Sequence, residues 1–192
     1  MATTTVYPNA DGTNGGWTDQ ASSSSNLYAS VDEGTDSPND ADYSQCVSNV
    51  TMAYLLGNMP GDFDAATAVT IKVRLQRGVV KGWDRQFSTC ALYKSDESTA
   101  ITATCDLTGT TGTVTTFTFT PTITGATDKT SWDGMRLKFN TPTGTSGSLF
   151  IYAVQIEITY SVAAAGQPRV SRFNLVPHMA GRLWVPQRIF KG

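Results

Sequence analysis

His178 is the one histidine of this 192-residue chain, and it lies between Pro177 and Met179 with no serine or cysteine nucleophile at a motif spacing. A catalytic triad needs a base within hydrogen-bond reach of a nucleophile and a third group to orient that base, so acyl transfer is not indicated and His178 reads as an interface residue. Cys46, Cys90 and Cys105 are odd in number, widely spaced and free of a CxxC or a histidine partner. That pattern points away from zinc and from a complete disulfide framework, and it predicts reduced, half-buried thiols. The stretch Asp32 to Asp42, DEGTDSPNDAD, carries Asp32, Glu33, Asp36, Asp40 and Asp42. Carboxylates suit calcium, but the spacing is not that of an EF-hand, and a solvated acidic loop without metal is expected. Gly109 to Gly112 lacks the spacing and the lysine of a phosphate cradle. Trp17, Tyr28, Trp83 and Trp132 fall at loops, where a ring either stacks on a sugar or packs at a strand end, the latter being commoner. With no convincing carboxylate pair for glycoside hydrolysis, the chain reads as non-enzymatic and without a cofactor.

The elements that would carry these residues are strands. In AVTIKVRLQR, Val69, Ile71, Val73 and Leu75 alternate with Thr70, Lys72, Arg74 and Gln76, the period-two pattern of an antiparallel strand with one wet face. LFIYAVQIEITY, Leu149 to Tyr160, places Phe150, Tyr152, Val154, Ile156, Ile158 and Tyr160 on one face, predicted to be the core face of a long strand. Shorter strands are predicted at Thr3 to Tyr7, Leu27 to Val31, across Val50, Met52 and Tyr54, at Phe87 to Lys94, Ala100 to Leu107, Thr113 to Thr120 and Met135 to Asn140. Turn formers separate them, and residues 1 to 45 are especially rich in them. Roughly eight to ten strands without helical periodicity between them predict an all-β antiparallel sandwich of jelly-roll type.

Charge divides the chain. Residues 163 to 192 hold Arg169, Arg172, Arg182, Arg188 and Lys191 and no acid; the remaining 9 basic residues face 16 acidic ones, so residues 1 to 162 carry −7. The domain is therefore taken as residues 1–162, followed by an extended basic and apolar arm at 163–192. Pro168, Pro177 and Pro186 keep that arm from forming one helix, and it is able to reach on the order of 100 Å. Two pieces of it resemble each other, Arg172-Phe173-Asn174-Leu175-Val176-Pro177 and Arg182-Leu183-Trp184-Val185-Pro186. Large apolar groups in water need cover, and tryptophan and arginine are enriched at interface hot spots. The predicted partner-binding residues are Arg169, Arg172, Phe173, Leu175, Arg182, Leu183, Trp184, Arg188, Ile189 and Phe190. The arm either covers an edge of its own sandwich or orders on a neighbouring subunit, the second being the sharper reading. An acidic body disfavours nucleic acid as partner, and no segment approaches transmembrane length. MATTTVYPNADG has no charged start followed by an apolar run, so synthesis in a cytosol is expected and the Asn49-Val50-Thr51 sequon is a chance match.

The stretches YPNADGTNGGWT, NLYASVDEG and DADYSQ, followed by a Thr-rich region ending in SLFIYAVQIEITY, resemble small virion proteins of tailed bacteriophages. Such proteins occur as capsid decoration or cement proteins and as tail or fibre components. The resemblance spans residues 7 to 160 and brings no site residues with it. It implies a structural virion protein made in the host cytoplasm, partnered by its own copies and by other virion proteins. The first expectation is a capsid decoration protein, as a symmetric trimer clamped through its arm. The alternative is a tail-fibre or baseplate module whose jelly roll binds a receptor or glycan.

Overall fold

The structure, a computed structural model, describes residues 1–78, 85–140 and 142–163. Along the chain these form β1 (Ala2–Val6), β2 (Pro8–Asp11), β3 (Thr18–Asp19), a 3-10 turn (Leu27–Ser30), β4 (Ser44–Cys46), β5 (Met52–Leu56), β6 (Phe63–Arg77), β7 (Thr89–Tyr93), β8 (Cys105–Asp106), β9 (Thr115–Phe119), the one-turn helix α1 (Lys129–Trp132), β10 (Arg136–Phe139) and β11 (Leu149–Val162). The strands build two antiparallel sheets packed as a sandwich. The first runs β3-β4-β11-β6-β9 with β1 also on β11, and the second runs β2-β5-β10-β7-β8.

β11 is the spine of the first sheet. One of its edges pairs with β6 from Leu149↔Arg77 to Val162↔Phe63. The other is divided among three partners: β4 along Leu149–Ile151, the Val31 carbonyl, which accepts from the Val154 N–H at 3.0 Å, and β1 along Ile156–Tyr160. Between the sheets lies one apolar cluster drawn from both inner faces, including Val6, Ile71, Val73, Leu75, Val154, Ile156 and Ile158 from the first and Met52, Tyr54, Leu92, Leu137 and Phe139 from the second. Burial of each such side chain contributes about 1.5–3 kcal/mol, which is how a chain with few charges offsets its ordering entropy. No helix among the described residues is long and apolar enough to cross a membrane.

The alternation read for β11 holds from Val154 onward and fails before it. A register shift between Ile151 and Ala153 inserts an extra residue against β6. A bulge of this kind reverses which parity faces the core. Leu149 and Ile151 therefore join the core cluster, and Phe150 and Tyr152, expected in it, are outside it: Phe150 is half-buried and Tyr152 stays buried, at 7 % exposure, beneath Tyr43. Leu27 to Val31 is not a strand either. The Asp11 carboxylate accepts from the Leu27 and Tyr28 N–H groups at 3.0 and 2.8 Å, and with Asn26 left-handed at φ 59° the backbone curls into a 3-10 turn. Of the strand predicted over Ala100 to Leu107, only Cys105–Asp106 pairs as a strand, joined by isolated bridges at Ala100 and Thr102. All three cysteines are free, and they are buried rather than half-buried.

Candidate functional site

The outer face of the first sheet is where polar chemistry concentrates, and a loop, residues 32 to 42, lies across it. Lys72, Arg74 and Gln76 of β6 and Gln155 and Glu157 of β11 point outward because their strand neighbours point into the core. Lys72 Nζ donates to Glu157 Oε1 at 2.6 Å and sits 3.8 Å from Asp36 Oδ1. Gln155 is 2 % exposed; its amide donates to Asp36 Oδ2 and Glu157 Oε1, both at 3.0 Å, and its carbonyl accepts from the Thr35 N–H and hydroxyl at 3.0 and 3.1 Å. Arg74 grips Asp40 through Nε and Nη2 at 2.7 and 2.6 Å, which holds that carboxyl below its ordinary range.

Asp36 and Asp40 are thus committed to Lys72, Gln155 and Arg74, and Asp42 accepts from Gln20 and Asn39. The loop is solvated as predicted, with Glu33, Asp36 and Asp40 exposed, and it is also a strap tied to the sheet. Among the described residues no set of three His, Cys, Asp or Glu side chains is placed to hold a metal ion. Gly34 lets the strap lie close: at φ +78° its Cα sits where an added Cβ would be 2.6 Å from Tyr7 Cε1 and 3.0 Å from Gln155 Oε1. Gly34→Ala is expected to destabilise the fold by roughly 1–3 kcal/mol, through both the left-handed backbone and the clash. A urea melt measures it, and an unchanged midpoint would show that the strap does not depend on this approach.

The outer face of the second sheet is closed in the same way by the turn between β7 and Ala100. Glu97, at φ +55°, pairs with Arg136 Nη1 at 3.1 Å and accepts from the Thr13 N–H at 3.1 Å and from the Thr13 hydroxyl. Lys138 Nζ donates to the Glu97 carbonyl at 2.9 Å and lies 5.1 Å over the Tyr93 ring. Among the described residues, Lys72, Arg74, Arg136 and Lys138 on the two outer faces are therefore each engaged within the body.

The loop aromatics go inward. Trp17 and Trp132 are both 0 % exposed, with their indole N–H groups donating to the Val50 and Ala126 carbonyls at 3.1 and 3.0 Å. Tyr28 packs partly buried against the core, and Trp83 lies outside the described residues. A sugar-stacking role is excluded for the two buried tryptophans because neither offers a ring face. One aromatic group on the outer face of the first sheet is different: half-buried Tyr43 meets half-buried Phe150 edge-on at 5.3 Å and the buried Tyr152 at 5.7 Å, and the Tyr152 hydroxyl donates to Gln76 Oε1 at 2.5 Å. Simple alternation puts Phe150 and Tyr152 in the core, so only knowledge of the bulge would have found this group. The predicted partner-binding residues, Arg169, Arg172, Phe173, Leu175, Arg182, Leu183, Trp184, Arg188, Ile189 and Phe190, and also His178, lie outside the described residues.

No family model and no curated protein matches the chain. Among solved structures it is similar to the N-terminal part of the Clostridium thermocellum endo-1,4-β-D-xylanase 10B, its CBM22-1 and GH10 modules complexed with xylohexaose, at 14 % identity and a TM-score of 0.38. The match covers 83 % of this chain and only 30 % of that one, and it carries no inference about ligand or activity.

Proposed function

We propose that this protein is a non-enzymatic structural component of a tailed-phage virion, a capsid decoration or cement protein that fastens itself to neighbouring subunits, its own copies or other virion proteins, through residues 163–192. The observation that carries the reading is the self-sufficiency of the body. Among the described residues its core is drawn from positions between Val6 and Tyr160, and the exposed large apolar side chains are Met1, Tyr7, Val47 and Val162. The six large apolar side chains Phe173, Leu175, Leu183, Trp184, Ile189 and Phe190 lie in sequence beyond that sandwich, interleaved with five cations and no acid. A body of −7 whose outer-face cations are already engaged is an electrostatic match for such a segment on another copy. The chain leaves β11 beside acidic groups: the Ala163 N–H donates to the Asp62 carbonyl at 2.8 Å, and Ser161 Oγ donates to Asp64 Oδ2 at 2.9 Å.

Deleting Gly166 to Gly192 is expected to leave a cooperatively melting domain that no longer assembles, read by a thermal melt together with sedimentation of both forms. Assembly of the truncated form at wild-type concentration dependence would remove the fastening role, and loss of the cooperative melt would remove the self-sufficient body. Placement in a tail fibre or baseplate as a receptor- or glycan-binding jelly roll is the second reading, favoured by the partly exposed rings of Tyr43 and Phe150 on the outer face. Copy number per particle separates the two, hundreds belonging to a shell and tens or fewer to a tail.

A further inference from the structure

Cys90 and Cys105 are direct cross-strand partners in the β7–β8 pair. Directly opposed residues of antiparallel strands project to the same side, and both of these face the core, at 0 % and 4 % exposure. The Leu107 N–H donates to the Ser88 carbonyl at 2.9 Å, which makes Ser88 and Leu107 a hydrogen-bonded pair. Such pairs recur at every second position, so Cys90 and Cys105 form the next one, with a Cα separation of about 5.5 Å, at the centre of the range that a disulfide spans. Cys46 stands apart from them on β4 of the other sheet.

We propose that Cys90 and Cys105 are the site of a cross-strand disulfide that staples the short edge strand β8 to β7. β8 is two residues long and has β7 as its only strand partner among the described residues. The chain between the two cysteines includes the turn from which Glu97 reaches Arg136 and Thr13, so the link closes a loop around the strap of the second sheet. An odd cysteine count hides such a pair from the sequence, because register and not spacing brings the two together.

The oxidant is a low-molecular-weight disulfide such as oxidised glutathione. Cys105 is the attacking group, being the less buried of the two, and the Cys90 thiol donates a hydrogen bond to its sulfur that lowers its pKa. Its thiolate bonds to one glutathione sulfur and expels the other as a thiolate. Cys90 then gives up its proton and attacks the Cys105 sulfur, expelling the second glutathione thiolate. Two protein thiols are oxidised, one disulfide is reduced to two thiols, and the two protons end on the departing glutathione.

The test treats the full-length folded protein with excess oxidised glutathione, then denatures it, alkylates the remaining thiols and maps them by tryptic mass spectrometry. One alkylated cysteine, Cys46, is expected, with residues 86–94 linked to residues 95–129 and a combined mass lower by two hydrogens. The linked protein should melt about 5 °C or more above its reduced form. Cys90→Ala should stop at a glutathione adduct on Cys105, and the mapping of the unsubstituted protein stands whether or not that variant folds. Three alkylated thiols after prolonged oxidation, a link through Cys46, or a linked form that melts below the reduced one would each overturn the proposal.

Discussion

Ile156→Asp is expected to give insoluble or molten protein. Ile156 is 0 % exposed, stands opposite Ile71 on β6 and Val6 on β1, and lies in the core cluster between the two sheets. The substitution removes the burial of a large aliphatic group, a loss of about 2–5 kcal/mol on truncation alone, and adds a carboxyl that must stay protonated or remain unpaired. The nearest cation in register, Lys72, belongs to the opposite face of the sheet, where Glu157 already engages it. Together these costs approach the whole stability of a domain this size, on the order of 5–15 kcal/mol. Ile156→Val, which keeps shape and polarity, should lose only about 0.5–1.5 kcal/mol. Phe150→Asp gives the decisive contrast, because the bulge at Tyr152 turns position 150 outward and the variant should remain folded. Denaturant melts with near-ultraviolet circular dichroism read all three. A cooperative, near-native melt of Ile156→Asp would take that face out of the core.

Which parts of this fold were readable follows from where alternation is uninterrupted. The β6 pattern from Val69 to Leu75 and the β10 pattern at Leu137 and Phe139 run without a break, and both place their apolar residues in the core as expected. β6 extends back to Phe63, five residues beyond the visible pattern, because further register shifts near Tyr160 and Val162 space its buried residues as Phe63, Ala66 and Val69. A period of two cannot report a strand whose pairing slips. The turn at Leu27 was lost for a different reason. An apolar segment of strand-like composition is captured by the Asp11 carboxylate, sixteen positions earlier, and no local propensity encodes that capture.

The candidate site was less legible still. The acidity of residues 32 to 42 is plain in the sequence, but its destination is not: whether those carboxylates face water, a cation ligand or a strand depends on Arg74 and Lys72 standing on the face that the loop crosses. The same holds for Glu97 and Arg136 on the second sheet. Both straps use alternation twice, once to bury the core and once to present a cation outward for a loop carboxylate. Both straps spend their cations on carboxylates of the same body, and the proposed attachment is accordingly placed in the segment after Val162.

Trp132→Ala carries the second large effect and decides between two uses of a loop aromatic. The residue ends α1, a single turn started by Asp128, whose carboxylate accepts from the Ser131 N–H at 3.0 Å and the Ser131 hydroxyl at 2.9 Å. Lys129 fastens the other side of that turn, donating to Asp133 at 2.7 Å and to the Met59 carbonyl at 2.8 Å. These contacts aim the indole into the sandwich, 6.3 Å from the Phe63 ring, which itself stacks on Tyr160 at 4.9 Å. Truncation would open a cavity under the β6–β11 end of the first sheet and leave the Ala126 carbonyl without its donor. The expected loss is about 3–5 kcal/mol, read as a lower denaturant midpoint with an unchanged slope. A solvent-facing ring used as a sugar platform would instead be removable for about 0.5 kcal/mol or less. A loss that small at Trp132 would mean that the turn opens and the indole spends its time in water, and the covered tryptophans would then return as ligand-binding candidates.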